Sequence, residues 1–174
     1  MPEKLHTRYR YAKREDAGAI AELFATSWKN AYCGIIPYQQ LNATIHRRDE
    51  NWWKTALSKD RNPILMMVDD QIIGYATICK ARDISSTHLS QHVGEITELY
   101  LDPDYQGVGF GRQLFSAAWS ELKKSNLNEL IVWALSDNNK ACDFYENLGG
   151  QKFAKAHDQF GKTRLEKTAF KWRA

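Results

Sequence analysis

A chain of 174 residues with a formal net charge of +3, its acidic and basic residues interleaved, fits one domain over residues 1–174 and lacks the basic clustering of a nucleic-acid binder. No apolar run approaches the roughly 18 residues needed to cross a bilayer, and Met1 to Arg10 lacks the apolar core of a signal peptide, so a soluble cytoplasmic protein that does not engage membranes is expected. Cys33, Cys79 and Cys142 are odd in number and form no C-x-x-C pair, which argues for reduced thiols over a disulfide framework or a zinc knuckle.

Thr7 to Ala12 alternates tyrosine and arginine and reads as a short first strand near a sheet edge. From Arg14 the period changes: Ala17, Ile20, Ala21, Phe24, Trp28, Ala31 and Tyr32 mark one face of a helix begun by Glu15-Asp16. Cys33 to Pro37 breaks it, and Tyr38–Ala43 and Arg47–Ser58 read as further helical pieces. Ile64–Asp69 and Ile72–Lys80 are strands joined by a turn at Asp69-Asp70-Gln71, which lacks the favoured Asn-Gly or Asp-Gly. Arg82 to Gln91 is polar and reads as a loop. His88 and His92 at its end have neither the helix nor the glutamate of H-E-x-x-H, so no metal is expected.

Glu95 to Leu101 is a strand closed by Asp102-Pro103-Asp104, and Gly111, Leu114, Phe115, Ala118 and Leu122 then recur at helical spacing. Between the two lies Gln106-Gly107-Val108-Gly109-Phe110-Gly111. Glycines at alternate positions clear side chains from the backbone at a helix start, whose free N–H groups and dipole favour a phosphate. A tight connection serving packing alone is the plainer reading of the same turn. G-x-G-x-x-G would need glycine at Arg112, and no G-x-x-x-x-G-K-[ST] loop occurs, so neither common nucleotide motif fits.

Beyond this turn, Glu129–Leu135 is a continuous apolar run, as for a strand covered on both faces and parallel to the one before. Asn138–Leu148 is a helix with Ala141, Phe144, Tyr145 and Leu148 on one face, stopped by Gly149-Gly150. Lys152–Ala156 and Arg164–Trp172 read as closing strands around a turn through Asp158 and Gly161.

Gln106, Gly109 and Gly111 occupy the places of the acyl-CoA signature of the GNAT acetyltransferase superfamily. E-I-T-E-L-Y-L-D-P-D-Y resembles that family's central strand, and N-N-K-A-C-D-F-Y-E-N-L-G its later helix. The resemblance covers nearly the whole chain, more loosely in the N-terminal third. It implies a mixed α/β GNAT fold: a mostly antiparallel central sheet with one parallel strand pair, flanked by helices. It also implies acetyl transfer from acetyl-CoA to an amine by direct attack in a ternary complex, with no metal. A small polyamine, an amino-acid-like molecule and a peptide N-terminus or lysine all stay open as acceptors. A non-catalytic acyl-CoA sensor of the same fold is the alternative, and the family's habit of pairing is compatible with a homodimer.

Carried over residue by residue, the resemblance implies donor contacts from the backbone of Leu99, Tyr100 and Leu101, from Gln106, Gly107, Val108, Gly109, Phe110 and Gly111, and from Asn138, with Arg112 near a phosphate. Asn138 could equally be an N-cap, and Arg112 a solvated helix residue. Tyr145 matches the tyrosine near the donor sulfur. Glu95 matches the glutamate that accepts the amine proton, with Glu98 second; alternation puts the two on opposite faces unless a bulge intervenes. The run S-W-K-N-A-Y-C-G-I-I-P is similar to one that walls the acceptor pocket, making Trp28 and Tyr32 candidate acceptor contacts, although aromatics on an apolar helix face are commonly core. Gly149-Gly150-Gln151 departs from the family's usual G-F and leaves open how the next strand starts.

Overall fold

The computed structural model describes residues 5–58, 62–83 and 88–174. Apolar spacing and breakers resolve the chain into β1 (Thr7–Tyr11), α1 (Ala17–Tyr32), α2 (Tyr38–Arg47), α3 (Glu50–Ala56), β2 (Ile64–Val68), β3 (Gln71–Lys80), β4 (Val93–Leu101), α4 (Phe110–Lys124), β5 (Glu129–Leu135), α5 (Asn139–Asn147), β6 (Gln151–Phe160) and β7 (Thr163–Arg173). The strands form one seven-stranded sheet in the order β1-β2-β3-β4-β5-β7-β6. Every neighbouring pair is antiparallel except β4 with β5. No described helix is long and apolar enough to cross a membrane.

Side-chain alternation gives the sheet two apolar faces. Ile96, Leu114, Leu130, Tyr145 and Phe170 pack under α4 and α5, while Phe24, Trp53, Leu65 and Tyr75 pack under α1 and α3. Asp16 ties the edge strand to the start of α1: both its oxygens accept from Arg10, at 2.8 and 2.9 Å, and Oδ2 also accepts from the Lys13 N–H at 2.7 Å.

The irregularity that matters is in β4. Thr77 pairs with Glu98 and the next β3 residue, Ile78, with Ile96, so Thr97 is an extra residue, a β-bulge. Its hydroxyl donates to the Thr77 carbonyl at 3.2 Å. Pairing of β4 with β5 runs from Val93/Glu129 to Ile96/Val132 and stops there. Beyond that point β4 keeps β3 as a neighbour and β5 keeps β7, and the sheet opens between them.

Several boundaries differ from expectation. β6 runs on to Phe160 with Asp158 paired to Leu165, so the turn lies at Gly161 and Lys162 and not through Asp158. Lys-Ala-His-Asp-Gln carries little apolar signal because β6 is an edge strand. Asp69 and Asp70 both take positive φ, 47° and 67°, giving the hairpin backbone that Asp-Gly would supply. The expected loop falls partly on residues 84–87, outside the described residues. His88 contacts Asp83, and Nδ1 of His92 contacts the Asn126 carbonyl.

Gly149-Gly150 has separate causes. Gly149 ends α5 at φ 87°, and β6 begins directly after Gly150. A Cβ on Gly150 would lie 2.5 Å from the Trp172 ring and 2.8 Å from the Tyr145 carbonyl. Gly150→Ala must therefore displace a buried indole or the end of α5, and a loss of about 1–3 kcal/mol in unfolding free energy is expected by denaturant titration. An unchanged midpoint would contradict this packing.

Candidate active site

The opening between β4 and β5 is a cleft of about 520 Å³ that passes from one face of the sheet to the other. On the α4 and α5 side it is lined by Gln106, Gly107, Gly109, Gly111, Arg112 and the opening turn of α5, with Tyr145 deeper in. Gly107 and Gly109 hold φ of 82° and 95°, a left-handed backbone that strains any residue with a Cβ, although nothing lies within 4 Å of where that Cβ would be. Gly111 is small for another reason, since its Cβ would press on Phe144 at 3.2 Å. Gly109 caps α4 without a side-chain bond, and among the described residues no group accepts from the N–H groups of Gly107 through Arg112. Gln106 braces this turn: Nε2 donates to the Leu101 carbonyl at 3.1 Å, and Oε1 accepts from Lys140 Nζ at 2.6 Å.

The side facing α1 is lined by Ser27, Asn30, Tyr32, Glu98 and Trp133. Because the bulge absorbs one residue, Glu95 and Glu98 share this face, and Leu99 joins Ile96 in the opposite core. Their surroundings differ. Arg48 donates to both oxygens of Glu98 at 2.9 Å and the Tyr75 hydroxyl donates to Oε2 at 3.0 Å, while the Arg48 guanidinium lies over Phe24, Trp52 and Trp53. Glu95 has no hydrogen bond or ion pair among the described residues. Burial raises its pKa, and the fields of Lys167 and Arg82 only partly offset this.

Tyr32 and Tyr100 face each other hydroxyl to hydroxyl at 3.2 Å. The Tyr145 ring is packed among Phe115, Phe144, Phe170 and Trp172, and burial pushes its phenol well above the ordinary value. Among the described residues no group hydrogen-bonds its hydroxyl, and the residue lines the cleft.

The model of the acetyltransferase (GNAT) family matches residues 18–150. The chain belongs to that family. An uncharacterized N-acetyltransferase of Bacillus subtilis (strain 168), YuaI, is 26% identical over 94% of this chain and 91% of its own. The L-amino acid N-acyltransferase MnaT of Escherichia coli (strain K12) is 25% identical over 80% of this chain and 77% of its own. Among solved structures, the PaiA N-acetyltransferase of Thermoplasma acidophilum in complex with coenzyme A superposes with a TM-score of 0.71 at 20% identity, covering 94% of this chain and 98% of that one.

In this acetyltransferase the cleft brings together Tyr32, Glu98, Leu99, Tyr100, Leu101, Gln106, Gly107, Gly109, Gly111, Arg112, Asn138 and Tyr145. It does not take in the other expected residues. Trp28 stacks behind Tyr32 with ring centroids 4.8 Å apart, Val108 is 70% exposed, and Phe110 is buried in the core under α4. Glu95 sits one step outside the lining. Asn138 is an N-cap, its Oδ1 accepting from the Ala141 N–H at 3.2 Å. Sequence reasoning missed Lys140 and Arg48. Lys140 had a signal, a cation between Asn138 and Ala141 in the run already singled out. Arg48 had none, since its partner lies 50 residues away.

The raised pKa of Glu95 sets a sign for stability. A folded state that holds this proton more tightly than the unfolded chain is favoured at low pH, and the advantage disappears as pH rises through the folded pKa, leaving a penalty at neutrality. Glu95→Gln cannot ionise, so at pH 7 the variant is expected to melt above the parent, with the gap closing as pH falls through the raised folded pKa toward the ordinary glutamate value. Parallel melts that show no such convergence would mean the carboxyl is solvated.

Proposed function

We propose that the protein transfers the acetyl group of acetyl-CoA to a primary amine by direct attack, within one domain spanning residues 1–174. The observation that carries this reading is the row of unpaired amides from Gly107 to Arg112 at the mouth of the opened strands. The first amides of a helix have no intrahelical partner, and donors at a helix N-terminus match a pyrophosphate in charge and geometry. Arg112 and Lys140 add cations at the same rim. The donor set therefore fits the phosphates, and the edge of Leu99 to Leu101, which has no strand neighbour on the β5 side, fits an amide-rich arm running inward.

The acceptor nitrogen bonds to the thioester carbon and loses a proton, the C–S bond breaks, and the sulfur gains a proton. An alkyl ammonium of pKa about 10.4 needs help to shed its proton near neutrality. Glu95 suits that task through a water, because burial has raised its basicity and no hydrogen bond or ion pair among the described residues ties up its carboxyl. Glu98 suits it less: to take a proton it must give up charge-assisted bonds to Arg48. Tyr145 is a phenol held protonated at every working pH. It is a weaker acid than a thiol of pKa about 8.5, so its role is a hydrogen bond that strengthens as charge grows on sulfur.

Calorimetric titration with CoA is expected to give saturable binding at a single site; absence of heat would remove the basis of this reading. Tyr145→Phe keeps the ring packing and deletes the donor, so kcat should fall by about 10²-fold with acetyl-CoA affinity unchanged. Undiminished kcat would refute the assignment.

A further inference from the structure

The cleft sorts its charges by side of the sheet. Its lining cations, Arg112 and Lys140, both lie at the α4 and α5 rim. On the α1 side no lysine or arginine among the described residues lines it, whereas Glu98 does. The cations behind that wall are already committed. Arg48 gives both terminal nitrogens to Glu98, and Lys167, stacked over Trp133, donates to Asp158 at 2.8 Å. Arg82 is exposed and acts on Glu95 only through space. Glu95 thus remains as a half-buried carboxyl with no ion pair among the described residues, one step outside the lining on the face from which an acceptor would enter, and the field of Asp158 extends to Tyr32.

We infer that the acceptor is a cationic amine with no carboxylate near its reacting nitrogen, a diamine or polyamine in chemical kind and not a free amino acid. The inference rests on the acetyl-transfer reading above and adds the substrate class. A carboxylate arriving on this side finds no free cation among the described residues, since Arg48 is committed to Glu98, and it approaches the unpaired Glu95 one step beyond the lining; like charges brought together at a binding site suppress the wrong partner. Ser27 Oγ, buried there without a partner, is neutral and cannot offset such a charge. A second ammonium meets the opposite situation, the unpaired carboxyl of Glu95 beside the lining.

Cadaverine and lysine differ only by the α-carboxylate, so they isolate this term. With acetyl-CoA, release of CoA thiol should give cadaverine a kcat/KM about tenfold or more above lysine, with lysine methyl ester recovering most of the gap. Lysine turned over as well as cadaverine would overturn the inference. So would turnover of neither amine while acetyl-CoA binding, measured by calorimetry, is intact; loss of that binding would instead sink the acetyl-transfer reading itself. Asn30, exposed on the cleft wall, allows the converse test. Asn30→Arg supplies the missing cation and should raise the lysine-to-cadaverine ratio of kcat/KM by about tenfold. A ratio that does not move would show that charge is not what selects the acceptor.

Discussion

The single extra residue Thr97 is the constraint on which the rest of this structure depends. A bulge adds twist and bends the strand that carries it, and the parallel pairing of β4 with β5 ends one residue earlier, at Ile96 and Val132. Two consequences follow from one event. The strands part, leaving the backbone of residues 97–101 without a neighbour on the β5 side. The side-chain phase of β4 also shifts, so that Glu98 and Tyr100 leave the core under α4 and face α1. Without the shift Glu98 would share a face with Ile96, inside an apolar cluster, where an ionised carboxylate is far more costly.

The shift creates a charge that has to be satisfied, and Arg48 satisfies it. Both side chains are mostly buried, 13% and 18% exposed, and such a pair adds little net stability because each partner gives up its hydration. Its effect is positional. The guanidinium is fixed by three aromatic rings and by both oxygens of Glu98, so the end of α2 is pinned to the bulged strand. The helical segment after α1 is thereby held against the strand that carries the bulge.

Most of the sheet was legible from the sequence because apolar alternation and breaker residues are local signals: β5 ran over Glu129–Leu135 as expected, and β3, α1 and α4 lay within a residue or so of expectation. The glycine turn was legible as an open helix entrance for a similar reason, its information lying within six consecutive residues. Position relative to the cleft was not legible. Trp28 and Tyr32 sit four apart on one helix, yet one packs behind the other, and that depends on Tyr100 and Phe24 from elsewhere in the fold. The bulge at Thr97 had no composition to mark it, so the relative facing of Glu95 and Glu98 could be stated only conditionally. Arg48 was invisible because an ion pair between distant segments has no sequence pattern.

How the helices begin separates structure from function along this chain. α3 and α5 start at Asp49 and Asn138, whose side chains accept from N–H groups of the first turn, at 2.9 Å from Trp52 and 3.2 Å from Ala141. Such caps stabilise a helix by about 1 kcal/mol, and the sequence had the means to place one before α4. It has Gly109 there instead. A serine or aspartate at that position would be strained by the left-handed backbone and, once accommodated, its oxygen would take up the amides of the first turn. Leaving α4 uncapped forgoes stability that two other helices take, and it leaves donors, dipole and cations at one rim of the cleft pointing at open space. α1 and α2 also begin without a side-chain cap, but α4 is the helix whose uncapped start lies on the cleft, where its donors suit an anionic ligand.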